Sequence, residues 1–275
     1  MSLKRDKSGR LHIETEFVAE SMMDKELLAK TETDDIFRPL PNLNVMKLGG
    51  QSIIDRGAKV VLPILEEVVA ARKEHEILLM TGGGTRSRHA YSIALDLGMP
   101  TGILAQLGAS ISEQNALMLS ILLAPHGGVK IARDDATKLP GYLMLGGIPV
   151  MPAMPPYHLW EEPPPVGRIP PNRTDVGTFL LAETLGAKRC ILVKDEAGLY
   201  TADPKKDANA ELIAEISAQD LIARDLNDLP VERTMLDALI NARTVTEVVI
   251  VNGLEEGNIT RALAGEKLGT RIYKG

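Results

Sequence analysis

Short apolar runs alternate with longer amphipathic segments through most of the chain. Residues 45–48, 77–80, 148–151 and 190–193 are dominated by apolar side chains, which is typical of buried strands. Strands that alternate with helices indicate an α/β fold built on a parallel sheet. The intervening apolar residues recur at helical spacing and predict helices over 57–74, 85–97, 110–124, 174–185 and 231–243.

The first 38 residues do not follow this pattern. They are rich in charge, weakly periodic, and end at the pair Arg38-Pro39. We expect residues 1–38 to form an N-terminal arm that contacts a neighbouring subunit. Residues 39–275 are then expected to form a single α/β domain, because one large domain accommodates this length.

The composition of the chain argues against nucleic acid and membranes as partners. The net charge of −6 and the sequence pI near 5.5 offer no general attraction for nucleic acid. No apolar run approaches the length needed to cross a membrane. Cys190 is the only cysteine, so the chain cannot form an internal disulfide. We therefore expect a cytoplasmic protein without nucleic acid or membrane partners.

A glycine-rich loop follows the second predicted strand. Residues 81–89 read TGGGTRSRH, so that Gly82, Gly83 and Gly84 lie between a strand and a helix, with Arg86 close behind them. Glycines at such a place let backbone amides and the positive end of the next helix face one anion. The alternative is a tight turn beside solvated arginines.

A second glycine loop follows the first predicted strand. Lys47 stands within the strand that ends at Gly49 and Gly50. Because parallel strands end at the same edge of a sheet, the two loops are predicted to line one crevice. Neither loop has the Gly-Lys-Ser/Thr order of a phosphate-loop ATPase, so that class is excluded.

Charged residues follow the strand at 190–193. Lys194, Asp195 and Glu196 place an amine and two carboxylates where the crevice is expected, and such groups bind a phosphate and its magnesium ion. The alternative is a solvated turn. The helix at 174–185 begins with Thr174 and Asp175, and either side chain is suited to cap it.

A proline-rich segment, residues 152–173, follows the strand at 148–151. It contains Tyr157, His158 and the only tryptophan, Trp160. Loops of this length are functional or disordered, and the aromatic residues and prolines favour order. The segment either presents His158 to a ligand or forms a rigid surface lid on which that histidine is simply exposed.

The order and spacing of these motifs resemble the amino acid kinase family, which includes carbamate, acetylglutamate, aspartate and uridylate kinases. The resemblance implies a three-layer fold with a mainly parallel central sheet and helices on both faces. It is carried by KLGG at 47–50, TGGG at 81–84, RTDVGTFLLAE at 173–183, VKDEAGLYTADP at 193–204 and VNGL at 251–254.

The resemblance also assigns roles within an ATP site. It implies that Lys47 and Lys194 lie at the transferred phosphate and that Asp175 orients them as the third catalytic residue. Glu196, one of the two carboxylates after the strand at 190–193, is the candidate for binding magnesium at this site. The remaining ATP-binding positions are Gly49, Gly50, Gly82, Gly83, Gly84, Arg86, Asp195, Tyr200, Asp203 and Pro204.

Within the family the chain resembles uridylate kinases and, more narrowly, molybdenum storage proteins. The narrow resemblance rests on GGQSIIDRG at 49–57, GTRSRH at 84–89, LAQLG at 104–108 and the proline-rich MPPYHLW at 154–160. Uridylate kinases usually have Ser-Gly-Glu after the first lysine, where this chain has Leu48-Gly49-Gly50-Gln51. They usually have Asn after the glycine triplet, where it has Thr85.

The storage-protein resemblance implies an ATP-binding subunit that uses Mg-ATP to load molybdate or tungstate clusters inside a cage. That cage is expected to be hexameric, built either from this subunit alone or together with a second related subunit. Histidines that charge near neutral pH would offset the charge of condensed molybdate. The candidates for binding the oxometalate are His158, His126 and His89.

Two other functions stay open on the sequence alone. One is a nucleoside monophosphate kinase that transfers the γ-phosphate of ATP to UMP. The other is a catalytically silent partner that only completes the cage. Asp195 and Glu196 speak against the silent partner, since both carboxylates suit a magnesium site.

Overall fold

The computed structural model describes residues 3–13, 17, 22–204, 206–207, 209–226 and 228–275. The chain divides into two compact units, residues 1–37 and 38–275. In the first unit, strands β1 (Leu3–Arg5) and β2 (Leu11–Ile13) pair antiparallel. Helix α1 (Lys25–Lys30) follows, and the side chain of Asp24 caps its N-terminus.

The second unit is built on a sheet that has eight strands within the described residues. In chain order its strands are β3 (Leu43–Leu48), β4 (Glu76–Thr81), β5 (Gly128–Lys130), β6 (Ile148–Pro152), β7 (Arg189–Lys194), β10 (Glu215–Ser217), β11 (Glu247–Asn252) and β12 (Thr270–Tyr273). A separate antiparallel pair is formed by β8 (Leu199–Tyr200) and β9 (Leu212–Ile213).

The sheet has the order β10-β12-β11-β7-β3-β4-β6-β5. Six neighbouring strands, from β11 to β5, run parallel. At the other edge β12 is antiparallel to β11, and β10 is parallel to β12. The predicted mainly parallel sheet is therefore confirmed, with two reversed strands at one edge.

Helices cover both faces of this sheet. They are α2 (Ala58–Ala71), α3 (Gly84–Asp96), α4 (Thr101–Leu122), α5 (Leu139–Met144), α6 (Thr174–Leu185), α7 (Ala218–Ala223), α8 (Arg233–Ile240) and α9 (Asn258–Ala264). None of the helices in the described part of the chain combines the length and apolarity needed to span a bilayer.

The alternation of side chains along the strands divides the core between the two faces. Met46 and Leu48 of β3 pack with residues of α2 and α9, whereas Val45 packs with residues of α6 and α8. Phe179 of α6 is fully buried in the second cluster. Two apolar clusters on opposite faces of one sheet make the three-layer arrangement that the family resemblance implies.

Helix α4 starts nine residues earlier than the prediction of 110–124. Its first half contains Gly102 and Gly108, which break the apolar periodicity but fit two close contacts. A Cβ at Gly108 would lie 2.0 Å from the Tyr91 hydroxyl oxygen, and one at Gly102 would lie 2.6 Å from the Leu159 carbonyl oxygen. Packing therefore selects glycine inside this helix against its intrinsic propensity.

Candidate functional site

Two lysines and one aspartate form a buried cluster where the central strands end. Lys47 of β3 and Lys194 of β7 come from neighbouring parallel strands, and both lie at positions that face α6. Asp175 lies in the first turn of α6. The Lys47 Nζ donates to Asp175 Oδ1, and the Lys194 Nζ lies 3.3 Å from both carboxylate oxygens.

The charges of this cluster depend on one another. Burial by itself would raise the pKa of Asp175. The ammonium groups of Lys194 and Lys47 lower it by a larger amount, so the pKa of Asp175 lies well below its ordinary value. Burial lowers the pKa of Lys194, and the negative charge of Asp175 opposes that effect. The carboxylate thus holds two cations side by side, leaving one net positive charge at the sheet edge.

The two glycine loops pack against each other beside these lysines. Leu48 of β3 pairs with Thr81 of β4, so the loops that follow begin at the same level. A Cβ at Gly50 would lie 2.1 Å from the Gly84 amide nitrogen, and one at Gly82 would lie 2.8 Å from the Gly50 amide nitrogen. Backbone approaches this close require glycine at both positions.

The cluster and the loops open into one cleft of about 650 Å³. Arg56 forms an ion pair at 2.6 Å with Asp195, which lines this cleft. The structure brings together every residue predicted for nucleotide or magnesium binding except Arg86. The lining residues from that set are Lys47, Gly49, Gly50, Gly82, Gly83, Gly84, Asp175, Lys194, Asp195, Glu196, Tyr200, Asp203 and Pro204.

Arg86 does not line the cleft. Its guanidinium donates to Gln114 Oε1 at 3.0 Å and also contacts Asn115 Oδ1, both on α4. Arg88 lines the cleft instead. Two positions along a helix differ by about 200° in direction, so only one of the two arginines of α3 faces the cleft.

A carboxylate that the sequence did not indicate caps α6. The predicted caps were Thr174 and Asp175, but neither side chain caps the helix, and Arg173 occupies the N-cap position. Glu232 instead accepts hydrogen bonds from the amides of Arg173 (3.0 Å), Asp175 (3.2 Å) and Val176 (3.0 Å). Burial raises the pKa of Glu232, and the nearby charge of Asp175 raises it further.

A second carboxylate lies at the N-terminus of α3. The Thr85 amide donates to Asp55 Oδ2 at 2.6 Å. A Cβ at Gly84 would lie 2.6 Å from the same oxygen, and Gly84 has a φ of +71°, so glycine is required there on both counts. The first turn of the predicted anion loop therefore already binds a carboxylate of this chain.

The three candidate histidines lie in separate places. His158 is partly buried in the proline-rich segment, with its Nδ1 2.6 Å from Arg133 Nη1. His126 is exposed after α4, and His89 is exposed on α3. Among the residues that the structure describes, no three His, Cys, Asp or Glu side chains are grouped so as to hold a metal ion.

The Arg133 contact fixes the chemistry of His158. Because a guanidinium only donates, Nδ1 must accept, and the proton of the neutral ring is then on Nε2. Burial lowers the pKa of His158, and the positive charge of Arg133 lowers it further. The sequence-based hypothesis of a histidine that charges near neutral pH is therefore not supported for His158, and Arg133 is the cation at this position.

Comparison with known proteins places this cleft in a family. The chain is 50% identical over 252 residues to the molybdenum storage protein subunit beta of Azotobacter vinelandii, which covers 92% of this chain and 93% of that protein. It is 27% identical over 234 residues to the uridylate kinase of Methanobrevibacter smithii, covering 83% of this chain and 97% of the kinase.

Solved structures show the same fold. The UMP kinase of Bacillus anthracis matches with a TM-score of 0.67 at 18% identity, over 86% of this chain and 97% of that one. The uridylate kinase of Archaeoglobus fulgidus matches with a TM-score of 0.63 at 21% identity, over 83% and 99%. The family model for the amino acid kinases matches residues 42–252, which include both lysines and both glycine loops. The chain belongs to the amino acid kinase family.

Proposed function

We propose that this chain is an ATP-binding subunit of a molybdenum storage protein, in which Mg-ATP drives the loading of molybdate or tungstate into an oligomeric cage. The observation that carries the proposal is the 50% identity to a molybdenum storage protein subunit over nearly the full length of both chains. The cleft at the carboxyl ends of β3, β4 and β7 supports the nucleotide part of it.

The residues of the cleft suit ATP hydrolysis. Phosphoryl transfer is catalysed mainly by positioning and by charge, and the two lysines supply the charge at the γ-phosphate. Asp175 holds the lysines in place, and the glycine loops line the cleft where the phosphate chain would lie. Water then attacks the γ-phosphorus, and the bond to the bridging oxygen of ADP breaks. Tyr200, Asp203 and Pro204 also line the cleft and would contact the nucleoside.

The donor set at the cleft rim fits a magnesium ion. Asp195 and Glu196 provide carboxylate oxygens beside the proposed phosphate position, and magnesium binds through one or two carboxylates together with phosphate oxygens. When bound, the ion would neutralise charge on the phosphates. The ion pair between Arg56 and Asp195 orients one of these carboxylates.

The oxoanion part of the proposal rests on the proline-rich segment. Molybdate is a tetrahedral dianion, which guanidinium and N–H donors recognise. Arg133 supplies a fixed positive charge and His158 an Nε2–H donor beside it. His126 and His89 remain weaker candidates, since both are exposed and lie on other elements.

The assembly is part of the same proposal. The relative's name describes one subunit of a larger protein. We propose a hexameric cage that contains a second related subunit, with the N-terminal arm at 1–38 contacting a neighbouring subunit. The interior of the cage would then hold the metal.

The alternative function is a uridylate kinase. It is favoured by uridylate kinases that align over almost their whole length with this chain, at 27% identity in the Methanobrevibacter smithii protein. In that case the same two lysines would stabilise transfer of the γ-phosphate to UMP.

Metal analysis separates the two functions. The purified protein is incubated with molybdate, with and without Mg-ATP, and its molybdenum is measured, while ADP release is followed with and without UMP. Many molybdenum atoms per chain that depend on ATP are expected. Absence of retained metal together with UMP-dependent ADP release would make the protein a nucleotide kinase. His158→Ala is expected to retain less metal, and His75→Ala, outside the candidate set, serves as its control.

A further inference from the structure

Two helices point their N-terminal ends into the nucleotide cleft. Gly83 and Gly84 at the start of α3 line it, as do Arg173, Thr174 and Asp175 at the start of α6. The N-terminus of a helix attracts anions, because its first amides lack partners within the helix and the helix dipole is positive there. A cleft with two such ends, two lysines and two arginines would bind more than one phosphate group.

In this chain a side-chain carboxylate already occupies each end. Glu232 accepts three amide hydrogen bonds at α6, and its carboxylate also lies 3.6 Å from the Nε of Arg173. Asp55 accepts the Thr85 amide at α3. Glu232 therefore occupies three amides that an incoming phosphate could use, and Asp55 occupies one.

Burial makes the effect at α6 the stronger of the two. Glu232 is 7% exposed, whereas Asp55 is exposed to solvent. A phosphate dianion placed against α6 would meet the negative charge of Glu232 in a region where water screens it poorly. The lysine–aspartate cluster keeps one net positive charge, which the phosphates of ATP would take up, and Arg173 already lies beside Glu232.

We propose that Glu232, with Asp55 in a lesser role, determines the specificity of the cleft by filling the anion-binding ends of α6 and α3, so that a phosphate-bearing acceptor is excluded beside ATP. The inference rests on the proposed ATP site and adds to it the residues that keep a nucleoside monophosphate out. This exclusion would explain how a member of a kinase family binds ATP without binding a phosphate acceptor beside it.

Binding measurements on the full chain test the proposal. The protein is saturated with a non-hydrolysable ATP analogue, and the affinities for inorganic phosphate and for UMP are measured by calorimetry. Glu232→Gln keeps the shape of the side chain and removes its charge, and it is expected to bind both probes about tenfold more tightly than the unaltered protein. Asp55→Asn is expected to raise the affinities by a smaller factor.

Two further variants make the result specific. Asp228→Asn removes a charge from an exposed residue of the same cleft without uncapping a helix, and should change the affinities less than twofold. Glu232→Asp keeps the charge and should continue to exclude both probes. Thermal unfolding shows whether each variant is folded, and Asp55→Asn alone carries the test if Glu232→Gln does not fold.

The outcomes are distinct from those of the storage proposal. Unchanged affinities in Glu232→Gln and Asp55→Asn, or an equal gain in Asp228→Asn, would overturn the inference. Tight UMP binding by the unaltered protein would overturn it as well. If the variants gain affinity while the unaltered protein retains no molybdenum, the inference stands and the storage function fails.

Discussion

At the scale of single residues, one carboxylate organises the centre of the cleft. Asp175 is buried and pairs with two lysines from neighbouring strands, and Glu232 fixes the backbone on which Asp175 stands. Removing one partner of a buried ion pair leaves an uncompensated charge, which costs more than a surface pair does. Function and stability are therefore coupled at these positions.

Substitution of Lys47 tests this coupling. Lys47→Ala removes a cation at the proposed γ-phosphate, and ATP turnover is expected to fall by about 100-fold or more, because charge stabilisation of the transition state is lost. The measurement is ADP release at saturating Mg-ATP. Lys59→Ala removes an exposed lysine from α2 and should leave turnover unchanged. Equal turnover in Lys47→Ala and the unaltered protein would remove Lys47 from the site.

At the scale of secondary-structure elements, partly buried side-chain contacts near the ends of helices fix how the layers join. Near the C-terminal end of α6, Glu183 accepts hydrogen bonds from the amides of Thr244 and Val245 in the turn that leads to β11. The Thr244 hydroxyl donates to the same carboxylate at 2.8 Å. The Glu183 side chain thus connects α6 to the turn that precedes β11.

The stabilisation by the Glu183 hydrogen bonds is expected to weaken as the pH falls. Burial by itself would raise the pKa of Glu183. The amide hydrogen bonds from Val245 and Arg243 outweigh this effect, so the pKa of Glu183 lies below the ordinary 4.5. The stabilisation is present above the pKa of the unfolded chain and is lost as pH falls through the lower pKa of the folded protein. Glu183→Gln is expected to lower the free energy of unfolding by about 1–3 kcal/mol at pH 7.

Urea unfolding at a fixed protein concentration measures the effect. The difference between Glu183→Gln and the unaltered protein should shrink between pH 7 and pH 4. The exposed Glu66→Gln on α2 provides the control, and its effect should be small at both pH values. A difference for Glu183→Gln that grows toward pH 4 would contradict the assignment.

Helices and strands that have a clear local sequence signal are predicted correctly. Those that depend on contacts with distant residues are missed. The strand predicted at 190–193 lies within β7, and the helix predicted at 174–185 matches α6. The strand is a continuous apolar run, and the helix is a long apolar segment that ends at a glycine. The three-residue β5 and the early half of α4 were not predicted, because sheet pairing and glycine contacts with distant residues define them.

The residues of the site divide in the same way, because those with a local sequence signal were predicted and those placed by distant contacts were missed. Lys47 and the glycines lie at the ends of strands, where the chain order already places them at one edge of the sheet. Glu232 lies 57 residues beyond the Asp175 amide that it binds, in a segment with no motif. Asp55 lies within the motif at 49–57, but nothing in that motif indicates that its side chain reaches the start of another helix.

At the scale of the whole molecule, an apolar face remains on the outside of the second unit. Helix α4 buries Ala116 and Leu119 on one side. On the other it exposes Leu117 (47%), Met118 (43%), Ile121 (63%) and Leu122 (49%). Residues 117 and 121, like 118 and 122, are four apart, so these side chains form one continuous stripe. Contiguous apolar surface of this kind marks an interaction site.

The proposed assembly gives this stripe a role, and Ile121→Glu tests it. A buried charge at a subunit contact is costly, so the variant is expected to sediment as a smaller species than the unaltered protein in analytical ultracentrifugation. Leu254→Glu changes an apolar residue of similar size that is 42% exposed in the turn after β11, and it should leave the assembly intact. If Ile121→Glu assembles normally while Leu254→Glu does not, subunits meet at the end of β11 and the stripe on α4 has another purpose.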